Sequence, residues 1–138
     1  MKTTVYLTNM FDLDELIQSD VADRNLLKEQ YIIPASVVNQ LANLCLYVLD
    51  RVKENFPNMK INSGYRCRTL NAWVKGSKNS QHMKGQAADI SHSNLDAVWQ
   101  LLKDINVDQC IRYDNFIHVS FKFMDNRNQY IDQRSQNH

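Results

Sequence analysis

Ser80-Gln81-His82-Met83-Lys84-Gly85-Gln86-Ala87-Ala88-Asp89-Ile90 is the stretch from which the rest of the chain can be read. It carries a histidine and an aspartate on either side of Gly85, and both side chains can ligate a cation such as zinc. If the chain reverses at Gly85-Gln86, a two-residue loop with glycine first suits a type II′ turn, because glycine reaches positive φ without a Cβ penalty. That register sets His82 opposite Asp89, with Cβ atoms roughly 5 Å apart on one face. A looser loop entering a strand at Ala87 would serve as well. The strand itself, Ala87 to Ser91, is small and apolar around its carboxylate, as a buried central strand would be. An acid placed there needs a positive partner, which a metal ion would supply.

Working outward, a third candidate ligand is His118, in Phe116-Ile117-His118-Val119-Ser120-Phe121. This segment is rich in β-branched and aromatic residues and reads as a strand. Alternation puts Phe116, His118 and Ser120 on one face and Ile117, Val119 and Phe121 on a core face. Two histidines and one carboxylate leave a fourth tetrahedral position open, the pattern of a catalytic rather than a structural zinc site.

The order Ser80-x-His82-x-x-Gly85-x-Ala87-x-Asp89, followed by His118, resembles the zinc signature of the D-Ala-D-Ala carboxypeptidase and L-alanyl-D-glutamate endopeptidase family. Ile61-Asn62-Ser63-Gly64-Tyr65-Arg66 is similar to that family's Ser-Gly-Tyr-Arg segment, and Phe11, Glu15 and Leu16 match its opening element. The resemblance runs from about Phe11 to Phe121. It implies an α+β domain of the hedgehog/DD-peptidase type, a small, mostly antiparallel sheet packed by helices. It also implies a zinc metallopeptidase, D,D- or L,D-specific, acting on peptidoglycan stem peptides or cross-links. The compact layout is similar to phage lysins and small bacterial members. In such an enzyme His82, Asp89 and His118 hold Zn2+, and Arg66, whose fork of donors suits a carboxylate, holds the substrate or the developing oxyanion. Ser80 supports His82 or the substrate.

The general base is where the sequence departs from that family. Its usual acid lies shortly before the last histidine, and the commonest spacing falls on Asn115. Asp114 is the nearest acid and is taken here as the catalytic base. In a continuous strand it would lie about 13 Å from His118, so a turn at Asp114-Asn115 has to bring it in. Another alignment puts Tyr113 at the acid position. A non-catalytic, zinc-stabilised wall-binding module is the alternative function. Asp108 reads as a turn residue. His92 falls on the face opposite Asp89 and is left out of the metal site.

Length and charge are consistent with this reading. The 138 residues suit one domain, 1–123, followed by a polar tail, 124–138, expected to fray. Sixteen basic and 15 acidic residues give a net charge of +1, which argues against nucleic acid as the main partner, since phosphate binding needs a concentrated basic face. A monomer is expected. No apolar run is long enough for a transmembrane helix. The first residues lack an apolar signal core, so synthesis in a cytoplasm and action on the cell wall are expected. Cys45, Cys67 and Cys110 show no metal or redox spacing. The first and last are read as small buried hydrophobes, and Cys67 as a structural residue that could line the pocket.

The remaining elements follow from periodicity. Thr4 to Leu7 reads as a short strand or arm, and Thr8 and Asn9 as caps for a helix from Phe11 to Ile17. Residues 19–30 read as irregular. Pro34 opens the clearest helix, with Val38, Leu41, Cys45, Val48, Leu49 and Val52 on one face. Lys60 to Ser63 is a strand and Leu70 to Val74 a short helix. Asn94 to Leu102 is an amphipathic helix with Ser93 as cap. Gln109 to Tyr113 and Phe116 to Phe121 form a hairpin.

Overall fold

The computed structural model describes residues 3–135. Its centre is a five-stranded sheet, with β1 Lys60–Ser63, β2 Ala87–Ser91, β3 Gln109–Arg112, β4 Ile117–Ser120 and β5 Gln129–Asp132, in the order β1-β2-β4-β3-β5. Every pairing is antiparallel except that of β3 with β5. The architecture is α+β, as the sequence implies.

The register separates two faces. Ala88, Val119, Cys110 and Tyr130 lie side by side across four strands, and the first three are fully buried. The next row on the other face is Ser63, Asp89, His118 and Ile111. The period-2 rule thus places the apolar set against helices and the polar set on an open face.

The helical cover is mostly one long element, α3 Ala35–Leu44, a π turn Cys45–Leu49 and α4 Asp50–Asn55. Pro34 precedes its first residue, where a missing N–H costs nothing. The Asp50 N–H reaches back to the Cys45 carbonyl, one residue further than in an α-helix. Leu41, Leu44, Cys45, Val48, Leu49 and Val52 are fully buried along this element. Each aliphatic side chain so buried contributes about 1.5–3 kcal/mol. Val37, not Val38, completes the stripe at its start. Leu46 and Tyr47 stay exposed, and Tyr47 stacks on Phe121 at 5.2 Å.

Shorter elements refine the expectations. The first helix, α1, covers Leu13–Ile17 and is capped by Asp12 in a reciprocal capping box with Glu15, not by Thr8 or Asn9. Thr8 instead closes a turn by accepting from Met10 and Phe11. Residues 19–30 are not irregular, since Ser19 caps α2, Asp20–Arg24. α5 is Arg68–Trp73, with the Cys67 thiol accepting from the Leu70 N–H. α6 is Leu95–Leu102, and its cap is Asn94 rather than Ser93. Tyr6 forms only an isolated bridge to Asp12, so the arm reading holds.

The largest departure is at the end of the chain. The polar stretch after Phe123 does not simply fray, because Gln129–Asp132 form β5 alongside β3. Polarity is what an edge strand requires, and that is why the pattern looked like a tail. All three cysteines are buried and free. No helix among the described residues is long and apolar enough to cross a membrane.

Candidate metal centre and groove

Asp89 and His118 are direct neighbours across the β2–β4 ladder. His82 arrives differently. No hairpin forms at Gly85-Gln86; residues Gln81–Lys84 make a 3₁₀ turn, Gly85 ends it at φ +75, and β2 starts at Ala87. The looser alternative is therefore the observed one. A Cβ at Gly85 would sit 2.7 Å from the Val37 carbonyl, so the left-handed backbone and the contact with α3 both demand glycine. The Ser80 hydroxyl accepts from the His82 N–H at 3.2 Å, and the His82 carbonyl accepts from the Arg66 N–H at 3.1 Å. The histidine backbone is thus pinned from both sides.

The side chain is pinned as well. His82 Nδ1 lies 2.7 Å from the Gly64 carbonyl oxygen, which can only accept, so Nδ1 carries the proton. The lone pair is left on Nε2, which is buried, has no hydrogen-bond partner and lies 3.3 Å from Asp89 Oδ1. His118 Nδ1 is 2.9 Å from the same oxygen. Burial pushes the Asp89 carboxyl up, but the two imidazoles beside it, His118 foremost, outweigh that and hold it well below the usual carboxylate range.

This donor set fits a divalent cation. One atom from each of His82, Asp89 and His118 lies within 4.8 Å of the others. Tetrahedral zinc about 2 Å from each ligand needs donors about 3.3 Å apart, and the His82–Asp89 separation matches. An orphaned imidazole nitrogen in a dry site costs about 1–3 kcal/mol unless something takes its lone pair, and a cation would. The Gly64 carbonyl is the kind of outer partner that fixes the tautomer of a metal-bound histidine.

The cluster opens onto a groove of about 450 Å³. Arg66 and Ser80 line it, as the sequence implies, and so does Tyr113, which stacks on Phe116 at 4.7 Å. Arg66 is half-buried with Nε unpaired; burial lowers its pKa and the nearby Asp89 charge partly offsets that.

Asp114 does not join them. Its carboxylate accepts from the Ser135 N–H at 2.9 Å and the Ser135 hydroxyl at 2.6 Å, bonds that hold it below its ordinary pKa. It borders a separate polar hollow with His92 and Asn94. The turn at Asp114-Asn115 exists, but it directs the acid outward toward the segment after β5. Among the described residues, Asp89 is the one carboxylate that lines the groove. His92 is also outside it, with its ring edge against Phe56.

The groove includes one cation that sequence reasoning missed, Arg127. Asp108, expected as a turn residue, is 1 % exposed and grips Arg127. Arg127 Nε donates to Oδ1 at 3.1 Å and Nη2 to Oδ2 at 2.8 Å, while Gln81 Nε2 donates to Oδ2 at 3.0 Å. Burial would raise the Asp108 pKa, but these bonds pull it down to about 2. The one available signal was an acid between Val107 and Cys110, which in a strand start must find a cation. Its partner could not be named, because the pairing depends on β5.

Comparison with known proteins agrees with the geometry. Residues 10–120 match the family model described as Peptidase M15. No curated protein matches the chain.

Proposed function

Since this chain belongs to the peptidase M15 family, we propose that it is a zinc-dependent peptidoglycan peptidase that hydrolyses stem-peptide or cross-link amide bonds at the cell wall, as a compact lysin would. The observation that carries the proposal is the His82 imidazole, fixed by Gly64 so that its unpartnered Nε2 faces Asp89 beside an open groove.

His82, Asp89 and His118 would hold the ion. Zinc in such a site polarises an amide carbonyl and lowers the pKa of a water molecule. Arg66, half-buried beside Asp89, orients a substrate carboxylate or the oxygen that gains charge. Its desolvation makes that contact stronger than it would be in bulk water. Ser80 keeps the His82 backbone in place. Tyr113 lines the groove and is suited to hand its hydroxyl proton to the leaving nitrogen.

The lack of a second carboxylate along the described groove favours one other reading, a zinc-stabilised module that binds wall peptides without cutting them. Purified muropeptides incubated with the zinc-loaded chain separate the two. New amine termini, seen by mass spectrometry and lost in His82→Ala, support the peptidase. Zinc-dependent binding with no product after exhaustive incubation supports the module and ends the peptidase reading.

A further inference from the structure

We propose that Arg127, held by the buried Asp108, forms a second anion subsite of the groove, which receives a substrate carboxylate remote from the scissile bond while Arg66 serves the one beside it. The inference rests on the reading of the groove as a stem-peptide site and adds what the peptide must carry.

Three observations support it. The first is anchoring. Asp108 takes a fork from Arg127, the Arg127 N–H at 3.0 Å and a Gln81 amide, so the base of the guanidinium is immobilised before any ligand arrives. Gln81 precedes His82, so the same carboxylate ties the metal-centre turn to this cation.

The second is charge. Lys122 Nζ also lies 3.6 Å from Asp108, so one buried negative charge faces two positive ones and the cluster keeps a net +1. The Arg127 side chain is 52 % exposed, which leaves its outer N–H groups free toward the groove. Among the described lining residues, only Arg66 and Arg127 carry a permanent positive charge.

The third is placement. Arg66 follows β1, one edge of the sheet, and Arg127 precedes β5, the other. Asp89 and His118 lie on β2 and β4 between them. The Arg66 N–H bonds to the His82 carbonyl, and Asp108, which holds Arg127, bonds to Gln81, so both cations are anchored to the turn that carries His82. The two cations therefore adjoin opposite edges of the sheet and line one groove with the metal centre between those edges, an arrangement suited to a short peptide bearing an interior and a terminal carboxylate. Arg66 also borders the hollow beside Ser19 and Val21, and Arg127 does not. The two guanidiniums serve different ends.

The test uses a stem pentapeptide with a γ-linked glutamate in three forms: free carboxylates, the interior carboxylate amidated, and the C-terminus amidated. The zinc-loaded wild type is compared with Arg127→Lys and with Asp108→Asn/Arg127→Gln, a pair chosen so that no buried charge is stranded. Amidating the carboxylate read by Arg127 is expected to raise the wild-type KM about fivefold, the effect of one half-exposed charged hydrogen bond. In the double variant that penalty disappears, and the other amide is still discriminated. Arg127→Lys keeps part of the preference. If wild type cleaves none of the peptides, the peptidase reading fails on its own account, and calorimetric Kd values for the same peptides decide the subsite. A double variant with the wild-type ranking of the three peptides, equal losses on all of them, or a wild type indifferent to amidation would overturn the proposal.

Discussion

Asp89 on β2 and Asp108 just before β3 are both drawn out of water on one sheet, and they are satisfied in opposite ways. Asp108 has a bidentate arginine, a backbone N–H and a side-chain amide around it. Asp89 has two imidazoles, one of which meets it with a nitrogen that makes no hydrogen bond. A carboxylate with all its acceptor sites filled holds structure together. One that meets an imidazole nitrogen with no hydrogen bond of its own has a lone pair beside it that a cation could take. The contrast separates the candidate metal centre from its support without reference to sequence motifs.

The sharpest way to break the contrast is Asp89→Asn, which keeps shape and removes the negative ligand. Zinc affinity should fall by more than about 100-fold, beyond the losses typical of outer partners, with peptide hydrolysis lost alongside and the thermal melt of the zinc-free chain little changed. Atomic emission on dialysed protein checks it.

The matching change at the other aspartate should act on stability instead. The folded Asp108 pKa of about 2 lies below its ordinary 3.8. A depressed carboxyl pKa contributes stability above the unfolded value and loses it as pH falls through the folded one. Asp108→Asn should therefore cost about 2 kcal/mol at pH 7, and the difference from wild type should fade between about pH 4 and pH 2. Urea melts across that range measure it. A constant difference would mean that the ion pair is not its source.

Arg66→Ala should raise KM about tenfold for peptides with a free carboxylate, the effect of one charged hydrogen bond. The Asp108–Arg127 pair should be untouched, as shown by an unchanged pH profile of stability. The smallest effect is expected at Asp114. Asp114→Asn should alter hydrolysis by less than about twofold and stability by less than about 0.5 kcal/mol, as for an exposed residue outside the site. A large loss of kcat in that variant would restore Asp114 as the base.

The sequence made the centre of this comparison legible and left its edge hidden. His82, Asp89 and His118 were readable because two of them lie on strands whose alternation is clear, and the third precedes a glycine that must turn. The hairpin was the wrong way to join them, since Gly85 is needed for the αL end of a 3₁₀ turn packed on α3. Arg66 and Ser80 were readable from the segments that carry them. Arg127 and the role of Asp108 were not, because both depend on a polar edge strand whose pairing with β3 leaves no apolar signature. Asp114 failed because its direction is set by Ser135, a contact no local pattern encodes.

Zinc titration of the metal-free chain by calorimetry, with wild type and His82→Ala side by side, tests the central claim most directly. One equivalent bound tightly by wild type, and at least a hundredfold more weakly once the Nε2 lone pair is gone, is the predicted result. Equal zinc binding by both proteins, or none by wild type, would contradict it.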